Sequence, residues 1–389
     1  MKQIIDSILQ TDLYKISMQQ CVYHQYPVAR VAYVFKCRNE GIKLGFIADK
    51  VQEQVDLMSN LKLTLGERNY LGSLGFFKDD FLDFLETYSF NPAEVHIKNE
   101  DGDLKITIGG FWVDTILWEV PLLAIVNELY FANIQYSYYD EIAKKEGNKR
   151  LTAKIEMLKE YPTLTFSEFG TRRRFSAKWQ RHVTTRLSEE CPQMTGTSNV
   201  KLAMELGIKP VGTMAHEFFS AHLALTQNIA EAQKRALYVW LQEYGGKLSI
   251  ALADTFTSDA FFKDFDPVLT KAYDGVRQDS GDAIEFGEKA IKHYKDMGID
   301  PRTKTIIFSD GLNFPKMLDI WKHFTGRINP PFGVGTDLTN SLGLDPLNIV
   351  IKLVECNGIP VVKLSDSPSK AIGDAGMIRK VKNAYGVEG

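Results

Sequence analysis

The sequence predicts a protein of the α/β class, with a mixed N-terminal region followed by a series of parallel βα units. Three observations lead to this prediction. A hydrophobic content of 44% over 389 residues is enough for a large core. The segment Val95–Trp112 alternates in polarity around a turn at Asp101-Gly102, as an antiparallel hairpin does. From about residue 160, short apolar runs that end in polar or glycine residues alternate with helical segments.

The elements are predicted in the following order. A helical opening precedes an apolar strand at 31–35 and the hairpin, and two long segments with helical spacing then reach about residue 161. Parallel strands are predicted in LTFSEFG, KPVGTMAHE, LSIALADTF, DGVRQDSGD, TIIFSDGLN and FGVGTDLTN. A helix in SGDAIEFGEKAIKHYKDMGID is closed by Gly298. The last run, VIKLVECNGIPVVKLSDSPSK, is strand-like. We expect residues 1–130 to form an N-terminal α/β domain completed by 350–389, and residues 131–349 to form an α/β barrel.

The composition excludes several classes of protein. The 46 basic and 49 acidic residues give a net charge of -3, which provides no broad field for nucleic acid or a membrane. The four cysteines are far apart and show no CxxC pair, as is typical of thiols in a reducing compartment. Neither a signal peptide nor a run of about 18 apolar residues is recognisable. A cytoplasmic location is therefore predicted.

Charged residues fall where the predicted strands end. In a barrel of βα units the reactive groups lie on the loops at one face, which is where strands end. The side chains expected to converge there are Glu168, His216, Asp254, Asp279 and Asp310.

Two kinds of motif indicate anion binding. EFGTRRR, at Glu168–Arg174, places three arginines after a strand, where their donor forks suit carboxylate or phosphate oxygens. The alternative is a solvated basic helix start, and one or two of the three are expected to face a ligand. GVGTDLTN and SDGLN have the glycines of phosphate-binding turns, although an ordinary βα turn has the same composition.

RQDSGD and GTMAHEFFSAH carry the groups suited to catalysis. Carboxylates such as Asp279 can hold Mg²⁺ or ribose hydroxyls, whereas Asp282 can simply cap the next helix. His216 and His222 are six residues apart, which excludes the i, i+4 ligand pair of a zinc protease. A neutral imidazole at a strand end, near carboxylates such as Asp254, suits a nucleophile or a proton shuttle. A structural histidine is the alternative.

Taken in order, the motifs resemble the nicotinate phosphoribosyltransferase family over nearly the whole chain. They are TDLYKISMQQ, EFGTRRR, GTSNVKLA, GTMAHE, ADTFTSDAF, GVRQDSGD, IIFSDGLN and FGVGTDLTN. The resemblance implies a type II phosphoribosyltransferase: an irregular, incomplete α/β barrel with an N-terminal α/β domain, in a homodimer with shared sites. It implies an ATP-coupled ligase that joins nicotinate to phosphoribosyl pyrophosphate in NAD salvage, through transient phosphorylation of His216. Mg²⁺ would be held by Asp279 or by substrate phosphates.

The resemblance also assigns roles to single residues. Tyr14 is similar to the aromatic residue that covers the pyridine ring from the neighbouring subunit, and Phe169 to the one on its other face. Arg172 and Arg277 match arginines near the substrate carboxylate and the phosphates, with the pairing left open. Asp254 and Asp279 match acids that orient the histidine or contact ribose and metal. Phosphate-binding turns are matched by Asp310, Gly311, Gly333, Gly335 and Thr336.

Ser198 separates acid from amide substrates in this resemblance. The related nicotinamide enzymes have an aspartate there, which would repel the carboxylate of nicotinate, whereas a serine can donate to it. Ala215 also replaces a glutamate of the amide enzymes. The alternatives are a nicotinamide or a quinolinate phosphoribosyltransferase, and a non-catalytic barrel that only binds a nucleotide.

Overall fold

The computed structural model describes residues 2–134, 137–367 and 370–387, which form two sheets with helices packed on them. The strands are β1 (Arg30–Cys37), β2 (Val95–Glu100), β3 (Asp103–Phe111), β4 (Phe166–Glu168), β5 (Met194–Thr197), β6 (Ile250–Leu252), β7 (Gly275–Gln278), β8 (Thr305–Phe308), β9 (Phe332–Val334), β10 (Ile349–Cys356) and β11 (Ile359–Pro360). The helices are α1 (Leu13–Gln25), α2 (Ala48–Met58), α3 (Leu65–Ser73), α4 (Asp79–Thr87), α5 (Trp112–Thr115), α6 (Glu119–Ile134), α7 (Ser137–Lys159), α8 (Ala177–Glu190), α9 (Val200–Leu206), α10 (His216–Leu225), α11 (Ala232–Tyr244), α12 (Ser258–Asp264), α13 (Pro267–Ala272), α14 (Ala283–Asp296), α15 (Phe314–Phe324), α16 (Thr336–Thr339) and α17 (Ala375–Tyr385).

The first sheet contains the predicted hairpin. β2 and β3 pair antiparallel up to Glu100 and Asp103, and the two residues between them, Asp101 and Gly102, both have positive φ. Two such residues form the tight turn whose twist suits a hairpin, so this prediction is confirmed. Alternate residues of β3, among them Leu104, are buried against the core.

The C-terminal strand-like run joins the same sheet. β10 pairs antiparallel with β1, with Ile351 opposite Phe35, and the strand order is β11-β10-β1-β3-β2. The C-terminal strands β10 and β11 thus belong to the same sheet as the N-terminal strands. The domain boundaries at residues 130 and 349 stay predictions.

The second sheet has the order β5-β4-β9-β8-β7-β6, and its neighbouring strands are parallel. It is open, with β5 at one edge and β6 at the other. The predicted fold class, an irregular and incomplete α/β barrel with an N-terminal α/β domain, is confirmed.

One predicted parallel strand is wrong. The described residues 209–215 of KPVGTMAHE form no strand and make only a single bridge, between Pro210 and Thr197. Proline cannot donate to a sheet, and Gly212 has a φ of 146°, which ends extended pairing. β5, which the pattern did not predict, occupies this edge of the barrel.

The segment Trp112–Asn133, which covers α5 and α6, is long and apolar enough by length and composition to cross a membrane. It is the one such segment among the described residues. However, 83% of its apolar window lies inside the protein. Burial of this kind is typical of a core helix, so the segment is weak evidence for a membrane span.

Candidate active site

A cavity of about 420 Å³ lies where the parallel strands end. Phe169 follows β4, Asp279 follows β7, Ser309 and Asp310 follow β8, and Thr336 follows β9; all of them line it. The opposite wall is formed by β10 of the antiparallel sheet. The site was predicted at the carboxyl ends of the barrel strands. In the structure these ends face β10, so the cavity lies between the two sheets.

His216 is the first residue of α10 rather than the last of a strand, as the sequence predicted, because the segment before it is not extended into a sheet. Its Nδ1 lies 3.0 Å from Oγ1 of Thr255, and its Nε2 lies 3.0 Å from Oδ2 of Asp279 and 2.8 Å from Nζ of Lys363. Burial and the positive charge of Lys363 lower the pKa of His216 to about 4. The imidazole is therefore neutral at pH 7 and is held from two sides.

The two predicted acids occupy different positions around His216. Although burial opposes it, the hydrogen bond with His216 and the charge of Arg277 hold the pKa of Asp279 well below its usual range. Asp254 is fully buried, accepts a hydrogen bond from Ser280, and lies 3.6 Å from Lys363 Nζ. Asp279 thus orients the histidine directly, whereas Asp254 reaches it through the lysine.

Three of the five side chains expected to converge line the cavity: His216, Asp279 and Asp310. Glu168 and Asp254 are not among the described residues that line it. Glu168 is buried behind the strand ends and bonds to Thr197 and Gln180. Burial raises the pKa of Glu168 to about 7.

The arginines that follow β4 have three different environments. Arg174 is buried, with its Nε 2.7 Å from Glu128, and lies outside the cavity lining. Arg173 lines the cavity but donates to Asn348 and to the carbonyl of Ile349, which fixes the start of β10. Arg172 lines the cavity and lies 5.9 Å from the ring centre of Tyr14. Two of the three therefore line the cavity, and which of them meets a ligand stays a prediction.

Arg277, at the end of β7, also lines the cavity. One of its terminal nitrogens donates to the carbonyl of Met214 at 3.3 Å, and its buried Nε has no partner among the described residues. A buried donor without a partner is costly, so this guanidinium is available to an anion.

The aromatic residues Tyr14 and Phe169 line one cavity within one chain. The chain's own Tyr14 is placed there because the N–H of Leu13 donates to the carbonyl of Ser198 at 2.8 Å, which fixes the start of α1 beside the barrel. The expectation that a neighbouring subunit supplies this aromatic residue stays a prediction. The hydroxyl of Tyr14 is buried and has no partner among the described residues.

Ser198 was predicted to contact the substrate, but it is not part of the described cavity lining. It is buried, is absent from the described lining residues, and donates to Oδ1 of Asp12 at 2.7 Å. Its carbonyl is held by Leu13, which turns its side chain toward Asp12. Its side chain therefore contacts Asp12 rather than the cavity.

The glycine-rich turns line the cavity through Gly311, Gly333, Gly335 and Thr336. Gly311 has a φ of 55°, which favours glycine. At Gly333 a Cβ atom would lie 2.4 Å from Cε2 of Phe169, so this glycine is required for the ring to lie where it does. Asp310 is 2.6 Å from Nζ of Lys370.

Sequence reasoning missed three lysines of the cavity: Lys352, Lys363 and Lys370. They come from the C-terminal run, which was read only as strands. The signal for Lys352 and Lys363 is a lysine inside an otherwise apolar stretch, VIKLV and PVVKL, because a buried lysine must face a partner or a ligand; Lys370 lies in a polar stretch and has no such signal.

A second missed feature is a buried ion cluster next to His216. Lys15 is fully buried, with its Nζ 2.6 Å from Glu119 and in contact with Glu217. Glu217 also accepts from Tyr33 and Trp112. Although burial opposes it, the two carboxylates raise the pKa of Lys15, so the lysine stays charged.

The chain matches known protein families over most of its length. Residues 9–127 match the nicotinate phosphoribosyltransferase (NAPRTase) N-terminal domain, and residues 164–389 match the nicotinate phosphoribosyltransferase (NAPRTase) family. A nicotinate phosphoribosyltransferase from Photorhabdus laumondii is 47% identical over 99% of this chain and 96% of its own length.

Solved structures agree with these matches. A nicotinate phosphoribosyltransferase from Vibrio cholerae superposes with a TM-score of 0.94 at 38% identity, covering 99% of this chain and 95% of that one. One from Porphyromonas gingivalis gives 0.91 at 35% identity, covering 98% and 100%.

Proposed function

The chain belongs to the nicotinate phosphoribosyltransferase family, and we propose that it joins nicotinate to phosphoribosyl pyrophosphate, giving nicotinate mononucleotide and pyrophosphate. The transfer is coupled to hydrolysis of ATP to ADP and phosphate, as the first step of NAD salvage from nicotinate. The observation that carries the proposal is the neutral His216, held by Asp279 and Lys363 in a cavity lined by cations and by two aromatic rings.

The lining of the cavity supports this choice of substrates. Tyr14 and Phe169 offer apolar faces for a flat ring, and Arg172 stands beside them for its carboxylate. The cations available to the phosphates of the other substrates are Arg38, Arg277, Lys352, Lys363 and Lys370. The glycine turns after β8 and β9 let backbone N–H groups approach a phosphate.

His216 is proposed to become phosphorylated during each turnover. The unprotonated nitrogen of a neutral imidazole attacks the γ-phosphorus of ATP, the bond to the bridging oxygen breaks, and ADP leaves. Lys363, whose Nζ lies 2.8 Å from Nε2 of the ring, is a cation of the cavity wall placed to neutralise the transferred group. Water later takes the phosphoryl group and releases phosphate.

Magnesium is proposed to enter with the substrate phosphates. The described residues contain no group of three His, Cys, Asp or Glu that could hold a metal ion by themselves. Asp279 is the cavity carboxylate proposed to share an ion with phosphate oxygens, although Oδ2 faces His216 and Oδ1 accepts from Ser309. The ion would supply charge neutralisation at the phosphates.

The direct test is product formation. Purified protein is given nicotinate and phosphoribosyl pyrophosphate, with and without ATP, and nicotinate mononucleotide and pyrophosphate are measured. Nicotinamide in place of nicotinate is the matched control. The proposal expects product with nicotinate, more of it with ATP, and little with nicotinamide. Product only with nicotinamide, or with neither ring, would overturn it.

Lys352 is expected to make binding of phosphoribosyl pyrophosphate weaken in alkaline solution. Burial, together with the charges of Lys363 and Arg172, lowers the pKa of Lys352 to about 8. The lysine loses its charge as the pH rises through that value, so KM for this substrate should rise between about pH 7 and about pH 9. Lys352→Arg should flatten the rise, because a guanidinium stays charged. An equally steep profile in the variant would contradict this.

Gly333→Ala is expected to displace the ring of Phe169. The new Cβ atom would lie 2.4 Å and 2.5 Å from two ring carbons. KM for nicotinate should rise about tenfold, with a smaller change for phosphoribosyl pyrophosphate. Gly66→Ala, on the exposed side of α3 with no atom within 4 Å, is the control and should change neither value. A normal KM for nicotinate in Gly333→Ala would mean that Phe169 does not bind the ring.

A cytoplasmic location belongs to the same proposal and fits the four cysteines, which are all free thiols. A homodimer also stays a proposal.

A further inference from the structure

Arg172 differs from its two neighbours because its N–H groups make no hydrogen bond to any of the described residues. Its Nε lies 3.9 Å from Oδ2 of Asp12, and one of its terminal nitrogens lies 3.8 Å from Oε1 of Glu119. Both distances allow electrostatic attraction but exceed the length of a hydrogen bond. The guanidinium is therefore attracted from two sides while its donors stay available.

Asp12 is held in an unusual way for the residue before a helix. An aspartate at this position normally accepts from the first backbone N–H groups of the helix. Asp12 precedes α1, yet no such bond is present among the described residues. Instead, Oδ1 accepts from Ser198 and Oδ2 faces Arg172. The carboxylate is 2% exposed, and a buried carboxylate needs a cation, which here is Arg172.

Glu119 holds Arg172 from the other side. Its Oε2 is fixed 2.6 Å from Nζ of Lys15, which leaves Oε1 turned to Arg172. Although burial opposes it, the charges of Lys15, Lys352 and Arg172 hold the pKa of Glu119 below its usual range. Glu119 is therefore a fixed negative charge at the cavity wall.

We propose that Asp12 and Glu119 are positioning residues that aim the guanidinium of Arg172 at the carboxylate of the ring substrate. Ser198 selects an acidic ring by holding Asp12, without touching the ring. This inference rests on the proposed function. A donor at position 198 keeps Asp12 in place, and the open fork of Arg172 can then bind a carboxylate with two parallel hydrogen bonds.

An aspartate at position 198 would act through the same contacts. It would place a second carboxylate beside Asp12, where the serine hydroxyl is now 2.7 Å away. Two like charges at that distance either share a proton or draw in a cation. Arg172 already faces Asp12, with its Nε 3.9 Å from Oδ2, so it would close on the pair and leave the substrate carboxylate without a partner.

The first test separates an indirect from a direct role of Ser198. Steady-state KM values for both substrates are measured for Asp12→Asn, Ser198→Ala and the double variant. Asp12→Asn should raise KM for nicotinate about tenfold and that for phosphoribosyl pyrophosphate less than about threefold. Ser198→Ala should raise KM for nicotinate about threefold in wild type and leave it unchanged in the Asp12→Asn background. Additive effects would overturn the proposal, because a hydroxyl that touched the ring would act independently of Asp12.

The second test adds a like charge beside Asp12 and then removes one of the two charges. Ser198→Asp should lower kcat/KM for nicotinate about a hundredfold while KM for phosphoribosyl pyrophosphate is kept. Adding Asp12→Asn removes the like charge, and the double variant should recover at least about tenfold. A double variant no better than Ser198→Asp alone would overturn the mechanism.

Two further variants separate positioning from stability. Glu128→Gln breaks another buried arginine pair, that with Arg174 outside the cavity, and should lower Tm without changing the ratio of the two KM values. If Asp12→Asn does not fold, Glu119→Gln tests the opposite side of Arg172 and should raise KM for nicotinate selectively. Inactive wild-type protein would count against the proposed function, whereas active variants with an unchanged KM ratio would count against this inference alone.

Discussion

His216→Ala should abolish phosphorylation of the protein by ATP. With ATP labelled in the γ-phosphate, the wild-type protein is expected to acquire a label that is stable in base and lost in acid, as a phosphoramidate bond is. The alanine variant has no nitrogen at this position and should remain unlabelled. Coupled synthesis of nicotinate mononucleotide should fall by at least about a hundredfold, because a covalent step is removed.

The same helix provides a matched control. His222 is buried, and burial lowers its pKa to about 4, as for His216. Its ring bonds to Tyr26 and to the carbonyl of Phe218, away from the cavity. His222→Gln should therefore keep the label. A label that survives His216→Ala, or that disappears in both variants, would contradict phosphorylation at His216.

Asp279→Asn should weaken the labelling without removing the nucleophile. The carboxylate lies 3.0 Å from Nε2 of His216 and orients the ring, which an amide does less well because it carries no charge. The expected effect is therefore on the rate of labelling, and its final extent should be nearly normal. This variant separates a residue that positions His216 from the residue that takes the phosphoryl group.

The sequence predicted those parts of the fold that depend on local pattern. The hairpin at Asp101-Gly102 and five parallel strands are marked by alternation, glycine and short apolar runs, and each was confirmed. The prediction of a strand before His216 was wrong, because KPVGTMA is apolar like a strand but contains a proline and a glycine that limit its pairing to one bridge. The local pattern thus identified His216 as a residue of the site but placed it at the end of a strand instead of at the start of α10.

Long-range contacts explain what the sequence could not predict. Lys363 meets His216 across 147 positions of the chain, and Ser198 meets Asp12 across 186. No periodicity encodes such pairs, since they depend on how the C-terminal run and α1 pack against the barrel. Ser198 was recognised as important through the family resemblance, but its contact with Asp12 could only be found in the structure.

Lys15→Met should destabilise the protein by about 3–5 kcal/mol at pH 7, the cost of leaving buried charges without their partner. Lys15 is fully buried between Glu119 and Glu217, and methionine fills a similar volume without the charge. The free energy of unfolding is measured by urea titration. Lys43→Met removes an exposed ion pair with Asp103 and is the control, with an expected loss of less than about 1 kcal/mol.

The loss should depend on pH in a defined direction. Without Lys15, burial and mutual repulsion raise the pKa values of Glu119 and Glu217 in the folded state above those in the unfolded chain. At pH values between the unfolded-state and folded-state pKa values of these carboxylates, the folded variant binds more protons than the unfolded one. The free energy of unfolding of the variant therefore falls as the pH rises. The variant should therefore be closer to wild type at about pH 5 than at about pH 8. Adding Glu217→Gln removes one carboxylate and should restore part of the stability at the higher pH. A loss independent of pH, and unaffected by the second substitution, would mean that Lys15 contributes packing rather than charge.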